Sequence, residues 1–380
     1  MVPNGNTGEL SLPIHFELAG IWQRVLGIEV RSIDEPFAEP GGGTCSLLML
    51  QEVAALTGKE VSVAEFLKEP TIRFLAQHLL TQQANDGMFE CLQEGNGHTP
   101  FYYFHGDILG GGFYAARLAT MLGDDQPFHV SPPLRLHEHQ LPVIEEIATR
   151  KRHSLQRKQP HGPYLLGGFC VGAVVAYEVA RQLEAQGEDV RSVVLIEPEI
   201  GDVLTRAHQR LIDRVVRRRR SPREKVQAFT CGLQKIERLR DVWHAPLREK
   251  AKFLTSNGRK LLRAGAGDVV PETNGSECDR DWLLSVYQWV ITSYVPRRFH
   301  GRVALFLTEN HLRQTPFISR QWARVAPQIR VETIPGEHLT CITTCLDALA
   351  KKIGDELAAV RSCVSVLLPT LTSQLWLFEL

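Results

Sequence analysis

The chain has no surplus of charge of either sign. Its 380 residues hold 43 Lys and Arg against 43 Asp and Glu, and a net charge of zero supplies no long-range field for gripping nucleic acid or an anionic membrane. The opening residues, MVPNGNTGEL, lack the basic segment and following apolar run of a secretory leader. No stretch is apolar enough to span a bilayer. Residues 359–380 come nearest, but Arg361, Pro369 and several hydroxyl side chains interrupt them. The eight cysteines stand at 45, 91, 170, 231, 278, 341, 345 and 363. Cys341 and Cys345 are four apart with no second pair, so no metal site is expected. Scattered thiols fit a reduced, cytoplasmic protein. What is present, 43% apolar and 23% charged residues, is the make-up of a soluble globular chain, long enough for one large domain and a small one.

One segment carries chemistry: Leu165-Leu166-Gly167-Gly168-Phe169-Cys170-Val171-Gly172-Ala173. It has the pattern G-x-C-x-G, a strand turning sharply into a helix with a nucleophile at the apex, and cysteine stands where serine is usual. Gly168 and Gly172 flank the apex because a side chain at either place would meet neighbouring backbone in so tight a turn. The helix N-terminus below Cys170 favours both a thiolate and an oxyanion. The flanking patterns agree. Residues 163–166 are a short apolar run, and residues 173–186 place Val174, Tyr177, Val179, Ala180 and Leu183 at helical spacing. Gly187 stops that helix, and residues 190–196 (VRSVVLI) form the next buried strand. The plainer alternative is a buried structural cysteine in an ordinary strand–helix–strand unit.

The pattern changes along the chain. Residues 16–80 read as four short helices, over 16–26, 46–56, 63–67 and 71–80, a small bundle. Residues 81–99 are polar and glycine-bearing and read as a linker. From Phe101 onward strands and helices alternate, which implies an α/β fold on a parallel sheet. Between about 201 and 290 the pattern is helical, an insertion between two core strands.

The bundle holds Ile21-Trp22-x-x-Val25-Leu26-Gly27, then Asp34-x-x-Phe37, a glycine run at 41–43, Leu56-Thr57-Gly58-Lys59, and Glu69-Pro70-Thr71-Ile72-x-x-Leu75-Ala76. In this order these residues resemble the peptidyl carrier domains of nonribosomal peptide synthetases. Such domains carry 4'-phosphopantetheine on a serine that follows a Gly-Gly-x sequence. Aligned without gaps from Asp34 to Gly58, that position falls on Gly43, which has no hydroxyl. Aligning Ser46-Leu47-Leu48 instead makes Ser46 the attachment residue. The resemblance therefore implies an arm in cis on Ser46, or in trans on a partner carrier.

The remainder resembles the thioesterase domains that end those assembly lines. Phe104-His105-Gly106 follows the apolar residues 101–103, the Cys170 turn comes next, and Pro335-Gly336-Glu337-His338 follows the strand at 329–334. The resemblance implies an α/β-hydrolase over residues 100–358, with a helical lid at about 201–290, preceded by the carrier-like four-helix bundle over 16–80. It implies Cys170 as nucleophile and His338 as base. Glu197, after the strand at 190–196, is the implied acid, with Glu199 and Glu309 as the other candidates. The oxyanion donors would be the N–H groups of Val171 and of Asp107 or Ile108. A helix over residues 346–357 would close the core, and residues 359–380 have no assigned role.

The implied substrate is an acyl or peptidyl thioester supplied by an upstream carrier protein or synthetase, in nonribosomal peptide or polyketide biosynthesis. An acyl-cysteine keeps the reactivity of a thioester, so transfer to an amine or ring closure is expected over hydrolysis. Two other readings stand: a proofreading hydrolytic thioesterase, and a non-catalytic scaffold or docking protein. The run Arg217 to Arg220 is a solvated helix face or a docking patch for an acidic carrier. No nucleic acid or membrane partner is expected.

Overall fold

A computed structural model describes residues 13–27, 29–36, 44–57, 61, 66, 68–81, 89–106, 114–131, 141–215, 222–244 and 275–372. At the N-terminus, α1 (Pro13–Leu26), α2 (Thr44–Thr57) and α3 (Ile72–Thr81) bury their apolar faces on one another. Ile14, Leu18, Ile21, Trp22, Met49, Val53, Leu75 and Leu79 share one core with Phe66, whose ring meets that of Trp22 edge-on. Most of the helix expected over 63–67 lies outside the described residues. Glu17 of α1 is buried and takes the Arg117 guanidinium at 2.7 and 2.9 Å, an ion pair that reaches 100 residues along the chain.

A seven-stranded sheet forms the centre. β1 (Glu90–Gln93), β2 (Phe101–Phe104), β3 (Phe128–Val130), β4 (Tyr164–Phe169), β5 (Val190–Ile196), β6 (Arg302–Thr308) and β7 (Gln328–Ile334) lie in the order β1-β3-β2-β4-β5-β6-β7. β1 runs antiparallel to β3, and every other pairing is parallel. β2 and β4 are buried at every residue, as continuous apolar runs in a sheet covered on both faces should be. β1 falls inside the stretch expected to be a linker. It is a four-residue edge strand with polar residues, so its composition reads as loop. Its anchor is the preceding Phe89, whose ring packs edge-on against Tyr102 and Phe104 at 5.2 and 5.4 Å.

Helix α4 (Tyr114–Met121) and α12 (Leu346–Thr372) share a core with alternate residues of the strands, Phe101, Tyr103, Val194, Ile196, Ala304 and Phe306, which places them on one face. Between β3 and β4 runs α5 (Ile144–Lys158), and α6 (Val171–Glu184) follows β4 and packs on β2, β4 and β5. α12 continues well past residue 357, where the helix was expected to end, and includes Pro369. Its Arg361 donates to Gln126 Oε1 at 2.6 Å. Also on α12, the fully buried Glu356 takes the Ser192 hydroxyl and the Arg302 guanidinium on Oε1, and Arg302 and Arg330 on Oε2. One carboxylate thus ties α12 to β5, β6 and β7.

A second unit comprises residues 135–147 and 199–295. Here α7 (Val203–Val215), α8 (Pro222–His244) and α9 (Gly275–Ser293) pack together. Phe229 stacks on His208 and meets Trp289 edge-on, and Gln209 donates to the Trp289 carbonyl at 2.9 Å. The helical character expected for 201–290 is present in these three elements; Arg217 to Arg220 lie outside the described residues. No described helix is long and apolar enough to cross a membrane.

Candidate functional site

The site begins at the end of β4. Cys170 has φ +53° and ψ −124°, a left-handed conformation that a residue with a Cβ adopts only under constraint. Its N–H donates to the Ile196 carbonyl at 2.9 Å, and α6 starts at the next residue. The flanking glycines are required by close approach. A Cβ on Gly172 would lie 2.0 Å from the Phe104 carbonyl oxygen, and one on Gly168 would lie 2.6 Å from the same atom. Val171 is the first residue of α6, and the first N–H groups of a helix have no acceptor within it. Asp107 and Ile108, the other expected oxyanion donors, lie outside the described residues.

Glu197 directly follows β5 and is also left-handed, at φ +51°. It is 1% exposed and its carboxylate is fully engaged. Oε1 accepts from the Thr308 N–H at 2.6 Å and pairs with His311 Nδ1 at 3.2 Å, while Oε2 faces His338 Nδ1 at 3.2 Å. Burial pushes the Glu197 carboxyl upward, but the bonds from His311, His338 and the Thr308 N–H outweigh it and hold the pKa down at about 2. An ionised carboxylate only accepts, so both imidazoles carry a proton on Nδ1. In neutral His338 the basic nitrogen is then Nε2.

His338 sits in the loop after β7, where Gly336 takes φ +89°. The Glu337 N–H donates to Thr340 Oγ1 at 2.6 Å, and the Cys341 thiol donates to the His338 carbonyl at 3.2 Å. A short 3-10 turn (Thr340–Ile342) follows. Burial, with the Glu197 carboxylate nearby, pushes the Cys341 thiol well above its usual range, so Cys341 stays a neutral donor that braces the loop. The His338 ring lies 4.8 Å, centroid to centroid, from that of Phe169, the residue before Cys170.

Of the acid candidates, Glu197 is the one joined to His338. Glu199 is exposed, and Glu309 pairs with Arg313 at 2.8 Å with both side chains largely in solvent. Sequence reasoning missed His311, Thr308 and Cys341. The available signal for the first two was a Thr three residues before a His at the end of β6, the spacing of a helix cap; the Thr308 hydroxyl indeed accepts from the His311 N–H at 3.1 Å. Ser46 is the third residue of α2, and Gly43 lies outside the described residues. Among the described residues no group of three or more His, Cys, Asp or Glu is arranged to hold a metal ion.

The low Glu197 pKa has a consequence for acid stability. A carboxyl at about 2 in the fold, against an ordinary value of 4.5, contributes stability that is fully present above the higher value. That stability is lost as pH falls toward the lower one, on the order of 3 kcal/mol in all. Glu197→Gln is therefore expected to flatten the acid limb of urea-unfolding stability between about pH 5 and pH 2. An acid limb as steep as that of the parent protein would show that the carboxylate is not held ionised.

The thioesterase domain family model matches residues 108–357. Indigoidine synthase of Dickeya dadantii (strain 3937) is 32% identical over 191 residues, which cover 49% of this chain and 13% of that protein. The nonribosomal peptide synthetase btyA of Aspergillus terreus is 32% identical over 158 residues, 39% of this chain and 17% of that protein. The chain thus spans less than a fifth of the length of either relative. A crystal structure of the NocB thioesterase domain from the nocardicin cluster superposes with a TM-score of 0.44 at 20% identity, covering 70% of this chain and 99% of that domain. With the family model matching well over half of its residues, as far as Leu357 in α12, the chain belongs to the thioesterase domain family.

Proposed function

We propose that this chain releases or transfers an acyl or peptidyl group that arrives as a phosphopantetheine thioester on a carrier, by way of an acyl-Cys170 intermediate. The observation that carries this reading is the bond from His338 Nδ1 to Glu197 at 3.2 Å, made by an imidazole packed against the residue that precedes Cys170. His338 Nε2 takes the Cys170 proton as Sγ attacks the thioester carbonyl. The Val171 N–H and a donor near Asp107 stabilise the resulting oxyanion. The bond from the carbonyl carbon to the pantetheine sulfur then breaks, and His338 gives its proton to that sulfur, which departs as the thiol. In the second half an amine, hydroxyl or water attacks acyl-Cys170, His338 takes its proton, and Cys170 leaves as the thiol.

Cysteine in place of serine bears on that second half. A thioester yields to amines faster, relative to water, than an oxygen ester does, so aminolysis or ring closure is favoured over hydrolysis. Relatives named as a synthase and a nonribosomal peptide synthetase support a place in natural-product assembly, with a separate carrier or synthetase as donor. The N-terminal bundle is the other source of the arm, carried on Ser46 in the first turn of α2.

Intact-mass spectrometry after mixing with short acyl-N-acetylcysteamine thioesters tests this reading. An acyl adduct mapped to Cys170 is expected, and the same spectrum of untreated protein reads whether Ser46 carries an arm. With amine and water competing, Cys170→Ser should shift products toward the acid. No adduct and no turnover across a broad acyl panel would overturn acyl transfer and leave the scaffold reading; an unchanged product ratio in Cys170→Ser would overturn the preference for amines.

A further inference from the structure

Glutamate has one more rotatable bond than aspartate, so a glutamate that orients a histidine needs its carboxylate pinned by something else. In this chain the pins come from one turn. The Thr308 N–H donates to Glu197 Oε1 at 2.6 Å and His311 Nδ1 pairs with the same oxygen at 3.2 Å, which leaves Oε2 to face His338. The turn is itself braced, because the Thr308 hydroxyl caps the His311 N–H at 3.1 Å at the start of α10 (Glu309–Gln314). His311 is 8% exposed and Thr308 is fully buried, so these bonds are shielded from water and hold their geometry. Glu197 is buried among them with a left-handed backbone, and that backbone is tied by its N–H to the Phe306 carbonyl at 2.9 Å.

We propose that His311 is a positioning residue for the Cys170 reaction: its Nδ1–H fixes the Glu197 carboxylate so that Oε2 aims His338 at the nucleophile. The constellation is then His311–Glu197–His338–Cys170, with one carboxylate shared by two imidazoles of different duty. His338 exchanges the proton. His311 touches neither substrate nor nucleophile and acts through Glu197. This inference deepens the acyl-transfer reading and rests on it for the role of Cys170.

The test compares His311→Ala with His311→Asn, whose Nδ2 reproduces the lost Nδ1 donor, in the full chain. Two readouts are taken: the rate of acyl-Cys170 formation from acyl-N-acetylcysteamine thioesters, and the rate of Cys170 alkylation by iodoacetamide, located by peptide mapping. His311→Ala is expected to slow both by about tenfold, the scale of one lost hydrogen bond to a charged group, with KM for the thioester unchanged. His311→Asn is expected to recover both to near the parent rates. Parent rates in His311→Ala would overturn the proposal. Equal impairment of the two variants at unchanged melting temperature would also overturn it, since a space-filling role would not be rescued by the donor. Iodoacetamide needs no acyl substrate. If alkylation follows this pattern while no thioester acylates Cys170, the positioning role stands and the acyl-transfer reading falls.

Discussion

Replacing His338 with alanine is expected to lower the rate constant for acylation of Cys170 by on the order of a thousandfold. The thiol must lose its proton to attack, and a positioned imidazole ordinarily contributes two to four orders of magnitude, roughly, to such a step. The loss should be smaller than for a hydroxyl nucleophile, because a thiol retains some thiolate without help and thiolate is intrinsically reactive. The variant should also show a changed pH dependence. With the base gone, hydroxide removes the proton, so the residual rate climbs with pH, by about tenfold per unit while the thiol remains mostly protonated. Cys170→Ala, which has no nucleophile, should show no such rise and no adduct. Quench-flow mass spectrometry reads both. A His338→Ala variant within about tenfold of the parent rate, folded and with the parent pH profile, would place the base elsewhere.

Glu356→Ala is expected to destabilise the sheet domain by about 3 kcal/mol. The carboxylate is fully buried and accepts from Ser192, Arg302 and Arg330. Removing it strands the buried Ser192 hydroxyl and takes a carboxylate away from Arg302 and from Arg330, which keeps Glu332 at 2.9 Å. Breaking a buried pair by deleting one partner costs about 3–5 kcal/mol. The lower end applies here, since the Arg302 and Arg330 side chains are 35% and 49% exposed and can turn to water. Glu356→Gln keeps an acceptor for Ser192 and loses only the charge, so its cost should be about 1–2 kcal/mol. Urea midpoints at constant slope measure both. If Glu356→Ala unfolds at the parent midpoint, the cluster does not hold α12 to the sheet.

Much of this protein is determined by short-range pattern. The tightness of the turn around Cys170 requires glycine at 168 and 172, and only a strand followed by a helix makes use of that turn, so the element order from Tyr164 to Ile196 was legible from residue types alone. The central parallel strands were legible for a related reason: a segment buried on both faces must be apolar, and β2, residues 193–196 of β5 and residues 303–307 of β6 show it in the sequence. Where the pattern is weaker, reading it fails. β1 is a short edge strand anchored by the preceding Phe89, by Leu92 and by the Gln93 side chain, and composition presents it as linker. The length of α12 was hidden because Arg361, Pro369 and several hydroxyl residues break the apolar pattern after residue 357.

The site divides along the same line. Cys170 could be nominated from its glycine-flanked turn, and His338 and Glu197 from the resemblance, which puts a histidine in the Pro-Gly-x-His loop after the last strand and an acid after the strand at 190–196. Which carboxylate reaches which imidazole is a matter of distance between segments more than a hundred residues apart, and local pattern carries no information about it. Only the tertiary structure decided that Glu309, two residues before His311, turns to solvent and Arg313, while His311 turns inward to share Glu197 with His338. The reason is physical: the sheet brings the C-terminal ends of β5 and β6 side by side, and the turn after β6 offers its donors to the carboxylate that β5 delivers.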